Sequence, residues 1–574
     1  MLIAGASLAA ACGNGSTGPY SGFGDVPGGS SSGSQSSSGS QSSSGGFAGA
    51  SSGGNSSSSS GGSGGGAGGT SSNGDDGGDA GSCDGFSVGT HCVQQKYISV
   101  VPREPQGTDP DAGLIYAFDQ TYQNNSTLLL NQPKIPPSAD LGKWEMYNGN
   151  YVRIGVSYPS WVANGGPVSA ADQAATTPRL SQDQVLSYNM NAVTDITNGD
   201  NIASPNCTVC HSSYFKGQLV QGLGRNNHWI GSDASGFSLN VLGLGIDSLF
   251  TGDTGQQLND GTSLLARLFQ DATQHDHLFD IFAAFAMRHD PKTLMWTGNL
   301  EGDPNSGLKG WIDFPAWWHM KKKNALYANG SGRGYKSDHI MVMNWFSLNG
   351  TTEATKVLNN FIHVQKWIED DITPPKFTDF GGMVDTALAA TGETVFNKNC
   401  AMCHGTYSDD PAKETYPNLI IDVAEVGTDP SLTTNSWLYP VKTWYDTSWY
   451  AQLKTSHIEK TNGYMPPPLD GVWITAPYFH NGSVPTLEGV LDSSKRPAQW
   501  TSNESDADYD WNAIGWQNTP GQTQAFSIVP EGGIALGGGT YDTTQPGDSN
   551  QGHTYGDMLT ADERRAVLEY LKTL

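Results

Sequence analysis

The alternation of apolar and polar positions is uneven along this chain, and only four stretches carry a clear period. "TEATKVLNNFIHVQKWIEDD" (352–371) repeats its apolar residues at helical spacing and stops at Thr373-Pro374-Pro375, which predicts one amphipathic helix. "SLLARLFQDATQHDHLFDIFAAFAMRHD" (263–290) predicts one or two more. "MVDTALAATGETVFNKNCAMCH" predicts a helix with Val384, Leu388 and Val395 on one face. "LTADERRAVLEYLKTL" predicts a terminal helix opened by a Thr560–Glu563 capping box, with Val567, Leu571 and Leu574 as its buried stripe. Elsewhere Gly, Pro, Asn and Asp cut an aromatic-rich chain into short pieces, and no strand assignment is made before Cys207. The fold class expected is mainly α with long irregular loops.

Residues 13–82 have no period at all. They are almost wholly Gly and Ser with some Asn, Asp and Ala, too apolar-poor to offset the entropy of ordering, so a flexible tether is expected. The remainder of the 574 residues is long enough for two or three domains. The expected boundaries are 1–12 for a signal remnant, 13–82 for the tether, 83–375 for a first domain and 376–574 for a second. A net charge of −26 argues against nucleic-acid binding and against direct adhesion to anionic lipid.

Chemistry enters with "SPNCTVCHSSYFKG". Cys207 and Cys210 are three apart and His211 follows at once. C-x-x-C alone suits half a zinc site, a dithiol redox pair or a c-type haem attachment. The trailing histidine separates them, because two thiols so spaced form thioethers to haem vinyl groups and the next residue offers an imidazole to the iron. The signature recurs in "NKNCAMCHGTYS", with Cys400, Cys403 and His404, in a chain of only seven cysteines. Two covalently bound haems c are expected, with His211 and His404 as proximal ligands and the four cysteines as cofactor attachment points.

The other cysteines suit an oxidising compartment. Cys83 and Cys92 of "CDGFSVGTHC" are expected to pair as a short-loop disulfide. Cys12 ends "MLIAGASLAAAC", which resembles a bacterial lipoprotein signal, although Ala9 stands where that pattern prefers Leu and no Lys or Arg precedes Lys96. The expectation is a signal that begins upstream and a periplasmic, outer-membrane or cell-surface lipoprotein of a Gram-negative bacterium. Membrane contact would come only through the lipid at Cys12.

The second iron has candidate distal ligands in Met465 of "GYMPPPLDG", His553 of "NQGHTYGDM" and His480 of "APYFHNG". "PLDGVWITAPYFHNGSVPTLEGVL", "FPAWWHMKKKNALY" (314–327), "ETYPNLIIDVAEVGTDP" (414–430) and the terminal "GH…LT..E…LEYLKTL" together resemble diheme c-type cytochromes of the cytochrome c peroxidase and MauG superfamily, most of all the rubber-oxygenase-like group. The resemblance covers roughly residues 200–574. It implies an exported diheme oxidoreductase in which the C-terminal haem has two histidine ligands, placing His553 ahead of Met465. It also implies that the N-terminal haem keeps an open face lined by aromatic side chains, where O2 or peroxide reacts. Phe314, Trp317 and Trp318 match that lining, with His339 as proton donor or ligand and His228 as a further candidate ligand. A tryptophan between the haems relays electrons under the same analogy. His480 is read as holding a propionate or the inter-haem edge, and a calcium ion between the haems is an allowed addition. A small oxidant and a redox partner protein follow as partners. Hydrogen peroxide reduction and plain electron transfer with both irons closed stand as alternatives. The run Lys321-Lys322-Lys323 is expected to be a solvated face.

Overall fold

Among the described residues, two helix pairs, each closed by a glycine, make the most extensive contacts between elements. The computed structural model describes residues 86–88, 91–93, 97–100, 115–116, 134–153, 155–164, 168–179, 183–194, 201–224, 250–251, 285–297, 313–434, 438–501, 508–518, 527–528, 534–535 and 541–574. In the first pair the helix Thr351–Asp371 buries Ala354, Val357, Leu358, Phe361, Val364, Trp367 and Ile368, the stripe its period predicts. It packs on Ala139–Asn148, where Gly142 comes so close that a Cβ would stand 2.0 Å from the His363 carbonyl oxygen. The Ser138 backbone N–H, at that helix's N-cap, donates to His363 Nδ1 at 2.9 Å.

In the second pair Thr386–Asn399 crosses the terminal helix Ala561–Leu571. The crossing point is Gly392, where a Cβ would meet the Ala566 carbonyl oxygen at 1.9 Å. The Thr560–Glu563 capping box forms as expected, and Val567 and Leu571 are buried. The stripe of the first helix is shifted: Ala389, Gly392 and Phe396 are its buried residues, whereas Val384, Leu388 and Val395 are half-buried. The reason is steric. The glycine is the only residue that admits the facing backbone, so closest approach falls on its row of the helix.

The segment before Cys207 holds what the sequence left unread. A four-stranded antiparallel sheet runs in the order 250–251, Gly155–Ser157, Asn201–Pro205, Met190–Thr194, in register Met190↔Pro205 to Thr194↔Asn201. Its inner strand Asn201–Pro205 leads straight into the first C-x-x-C-H. Short two-stranded ribbons recur elsewhere, so helices carry the motifs but the fold is less purely helical than expected. Residues 79–574 group as one compact unit, and Trp317, Trp318, Trp367, Trp473 and Val567 belong to a single apolar cluster that runs across residue 375. The expected helix at 263–290 lies outside the described residues except at its end, where Phe285, Ala286 and Met287 are buried. Among the described residues no helix is long and apolar enough to cross a membrane.

Candidate functional site

The first motif is built on a buried asparagine. Asn206 accepts from the Thr208 backbone N–H at 2.9 Å and the Thr208 hydroxyl at 2.6 Å, and its amide donates to the Tyr188 carbonyl and Asn191 Oδ1, both at 2.9 Å. That set turns the chain from the sheet into the one-turn helix Thr208–His211. Cys207 and Cys210 come out buried and unbridged. Burial pushes the Cys207 thiol up to about 12, the opposite of what a dithiol redox pair requires. His211 Nδ1–H donates to the Pro315 carbonyl at 3.1 Å, which leaves Nε2 as the free nitrogen. Its ring stacks on Trp317 at 5.0 Å between centroids and meets the edge of Phe314 at 5.9 Å.

The second motif repeats this construction on different supports. The helix Thr386–Asn399 ends at Cys400, whose N–H bonds the Phe396 carbonyl at 2.7 Å, and Ala401–His404 follows as one turn. Gly405, at φ +83°, closes it against the Thr415 carbonyl, 1.9 Å from where a Cβ would be. His404 Nδ1–H donates to the Pro467 carbonyl at 2.9 Å. Tyr407 donates to the His404 carbonyl at 2.8 Å and accepts from the Leu469 N–H at 2.6 Å. Burial pushes both the Cys400 and Cys403 thiols up to about 12.

Opposite His404 stands His553, with ring centroids 6.1 Å apart at an interplanar angle of 71°. Two imidazoles bonded across one metal, each at a metal–nitrogen distance of about 2 Å, place their centroids roughly 6 Å apart. The His553 ring packs against Phe479 and Tyr555, its Nδ1 is buried without a hydrogen-bond partner, and its backbone is left-handed at φ +46°. The backbone N–H is held by the Val426 carbonyl at 2.7 Å. Burial first, and then the neighbouring His404 and Arg496, depress its pKa to about 3. The geometry and the donor set therefore suit an iron gripped between His404 and His553. Among the described residues no three His, Cys, Asp or Glu side chains gather into a metal-binding group of another kind.

The remaining expected residues divide between those brought to these sites and those left away from them. Met465 is buried with Val100, Ala325 and Ile420, and its N–H bonds the Ala328 carbonyl, so it fills a small apolar cluster of its own. His339 lies between Tyr327 and Tyr445, with Nε2–H on the Arg333 carbonyl at 3.0 Å and Nδ1 3.5 Å from the Tyr327 hydroxyl. Both ring nitrogens are thus engaged within the protein. Phe314 and Trp317 flank the His211 imidazole itself. His480 stacks on Tyr464 at 4.0 Å, and its carbonyl accepts from the Asp313 N–H at 2.9 Å. His228, Cys12 and the expected Cys83–Cys92 pairing lie outside the described residues.

Trp318 joins the two motifs. It is fully buried, its indole N–H donates to the Asp470 carbonyl at 2.7 Å, and Asp470 lies three residues after Pro467. His319 Nε2–H shares that carbonyl at 2.9 Å, and Lys322 pairs with the Asp470 carboxylate at 2.7 Å and Glu414 at 2.9 Å. Lys323 is buried, its pKa lowered to about 8 by burial. Only Lys321 of the three is exposed, so the solvated-face reading of this run is corrected. Sequence reasoning passed over the Pro315 and Pro467 carbonyls, Asp470 and Arg496. For the prolines a signal existed: each sits beside an aromatic or apolar run already singled out. The other two act through a carbonyl oxygen or a guanidinium whose partners are remote in sequence.

Comparison with known proteins agrees with the second motif. Residues 387–471 match the family described as cytochrome c oxidase, cbb3-type, subunit III, and residues 463–501 match RoxA-like, cytochrome c-like. An uncharacterized protein, y4iJ, of Sinorhizobium fredii is 29% identical over 264 residues, 35% of this chain and 41% of that protein. A second uncharacterized protein of that organism, y4iM, is 26% identical over 299 residues, 46% of this chain and 64% of that protein. The chain thus spans less than two thirds of either relative. The C-terminal part is a cytochrome c-like domain, and such a domain implies covalently bound haem c and haem-based electron transfer or oxidoreduction.

Proposed function

We propose that this chain is an exported two-haem c-type oxidoreductase whose irons are unequal. The second, between His404 and His553, is closed and exchanges electrons; the first, on His211, reacts with O2 or a peroxide. Bound haem supplies one-electron chemistry at iron and, where a coordination position is left open, a place for the oxidant. The observation that carries the reading is the contrast between the motifs: His404 faces a second imidazole, whereas His211 is flanked by Phe314 and Trp317.

The protein's own part is to attach, orient and connect. Each C-x-x-C pair supplies two buried thiols for thioether bonds. Each proximal histidine is fixed in one tautomer by a proline carbonyl, which leaves Nε2 for iron and raises its basicity. Trp318 packs between the segments holding those carbonyls, and its indole spans from the His211 side to the Asp470 backbone. That contact is a covalent and hydrogen-bonded route between the motifs, and it supports electron passage from the second site to the first. The likeness of residues 463–501 to a RoxA-like cytochrome c favours an oxygenase over a peroxide reductase. A redox partner protein supplies the electrons.

The test is the mass of the intact, denatured protein matured with a working haem-attachment system. Two haem additions are expected, with one lost in the Cys207→Ala/Cys210→Ala variant and the other in Cys400→Ala/Cys403→Ala. A single addition, confined to Cys400 and Cys403, overturns the two-haem reading.

A further inference from the structure

The loop that carries His553 is held by one cation. Arg496 follows the short turn Ser493–Lys495, and its five N–H donors meet five backbone carbonyls: Gly489 at 2.8 Å, Val490 at 3.4 Å, Asn550 at 2.8 Å, Gly552 at 2.7 Å and His553 at 3.1 Å. Three of the five belong to the segment 550–553. The guanidinium also lies 4.9 Å over the ring of Phe479, whose other neighbour is the His553 imidazole at 5.9 Å. Arg496 forms no ion pair within 4.0 Å among the described residues; its guanidinium meets carbonyl dipoles and an aromatic face, with the Asp557 and Asp492 carboxylates acting on it from further away. His553 needs that support. Its left-handed backbone is disfavoured for a residue with a Cβ, and beside Arg496 the backbone hydrogen bond to Val426 helps to hold it.

We propose that Arg496 is the positioning residue of the second iron, holding His553 in its ligating pose by tying the carbonyls on both sides of it to the Gly489–Val490 turn. The inference rests on His553 being the sixth ligand. Planar fork geometry is what the task requires: lysine has three donors from one nitrogen and cannot reach five carbonyls on two segments. Partners of this outer kind typically change the hold on a metal by about ten- to hundredfold when removed.

The experiment compares Arg496→Gln, Arg496→Lys and His553→Ala in the full-length protein with both haems attached, using carbon monoxide on the reduced form and imidazole on the oxidised form. Arg496→Gln is expected to weaken the closed state by about ten- to hundredfold. The second haem then takes up carbon monoxide at concentrations where the wild type takes none, and added imidazole restores its low-spin spectrum. Arg496→Lys, with charge kept and fewer carbonyls reached, is expected to fall between, and it decides the matter should the glutamine variant not fold. If His553→Ala opens the second haem and neither Arg496 variant does, the positioning role is overturned while the ligand assignment stands. If His553→Ala leaves the second haem low-spin, the ligand assignment fails and this inference falls with it.

Discussion

Gly552, next to His553, packs so tightly that alanine there tests the link between loop and ligand. A Cβ on Gly552 would lie 2.1 Å from the Gly427 carbonyl carbon, 2.3 Å from the Thr428 nitrogen and 2.4 Å from the Gly427 oxygen. All three are backbone atoms, and none can swing aside. The residue is left-handed at φ +79°, so alanine adds roughly 1–2 kcal/mol of conformational cost. Overpacking adds about 1–3 kcal/mol more. The sum, roughly 2–5 kcal/mol, is relieved when segment 550–553 lifts from Gly427 and gives up the His553-to-Val426 hydrogen bond. At about 1.36 kcal/mol per factor of ten, His553's hold on the iron weakens roughly thirtyfold to several thousandfold. Gly427→Ala is the control. It is also left-handed, at φ +70°, but its nearest neighbour is the Gly552 Cα at 3.4 Å, so only the conformational cost applies. The spin state of the oxidised second haem reads both variants. Gly552→Ala is expected to be largely high-spin and Gly427→Ala largely low-spin. A folded Gly552→Ala protein whose second haem is as low-spin as the wild type refutes the reasoning.

Other perturbations test the surrounding structure. Trp318→Phe loses the indole N–H, but the Asp470 carbonyl keeps the His319 donor, so the cost is only about 1 kcal/mol; electron exchange between the haems, followed by stopped flow, should slow. Trp318→Ala empties a fully buried site and should cost about 3–5 kcal/mol in denaturant unfolding. Lys322→Met leaves the Glu414 and Asp470 carboxylates without their cation in a half-buried site, and a loss of about 3 kcal/mol is expected by the same measurement. His289 is fully buried with Nδ1–H on the Phe285 carbonyl at 2.7 Å, and burial depresses its pKa from 6.5 to about 4. Its native form stays neutral while the unfolded chain takes up a proton. The stabilisation is therefore complete above pH 6.5 and is lost as pH falls toward about 4, by up to about 3 kcal/mol. His289→Asn should flatten the stability profile across that window, and an unchanged slope would show that His289 titrates normally.

What could be read in advance was what depends on neighbours in sequence. The helix at 351–371 and the capping box at Thr560 are local patterns, and both stand as expected. The two C-x-x-C-H turns are equally local, and each presents its histidine with Nε2 free. The rest depends on contacts between distant segments. The helix stripe moved to the Gly392 row because the approach of Ala566 decides which face is buried. Met465 and His553 could not be separated by composition or spacing, since the choice lies in a loop that reaches His404 across most of a domain. The placing of Phe314 and Trp317 around the His211 ring was not legible either, because a cluster of aromatic residues in sequence carries no direction. The lysine run misled for a similar reason: Lys322 meets Asp470 only after the chain has returned 148 residues later.

The most direct test of unequal irons is carbon monoxide uptake by the fully reduced wild-type protein, titrated optically and expressed per haem. The account predicts one carbon monoxide for every two haems, with the second haem, the one attached to Cys400 and Cys403, remaining low-spin throughout. No uptake at either haem would make the protein an electron carrier with both irons closed, and uptake at both would remove His553 as a ligand.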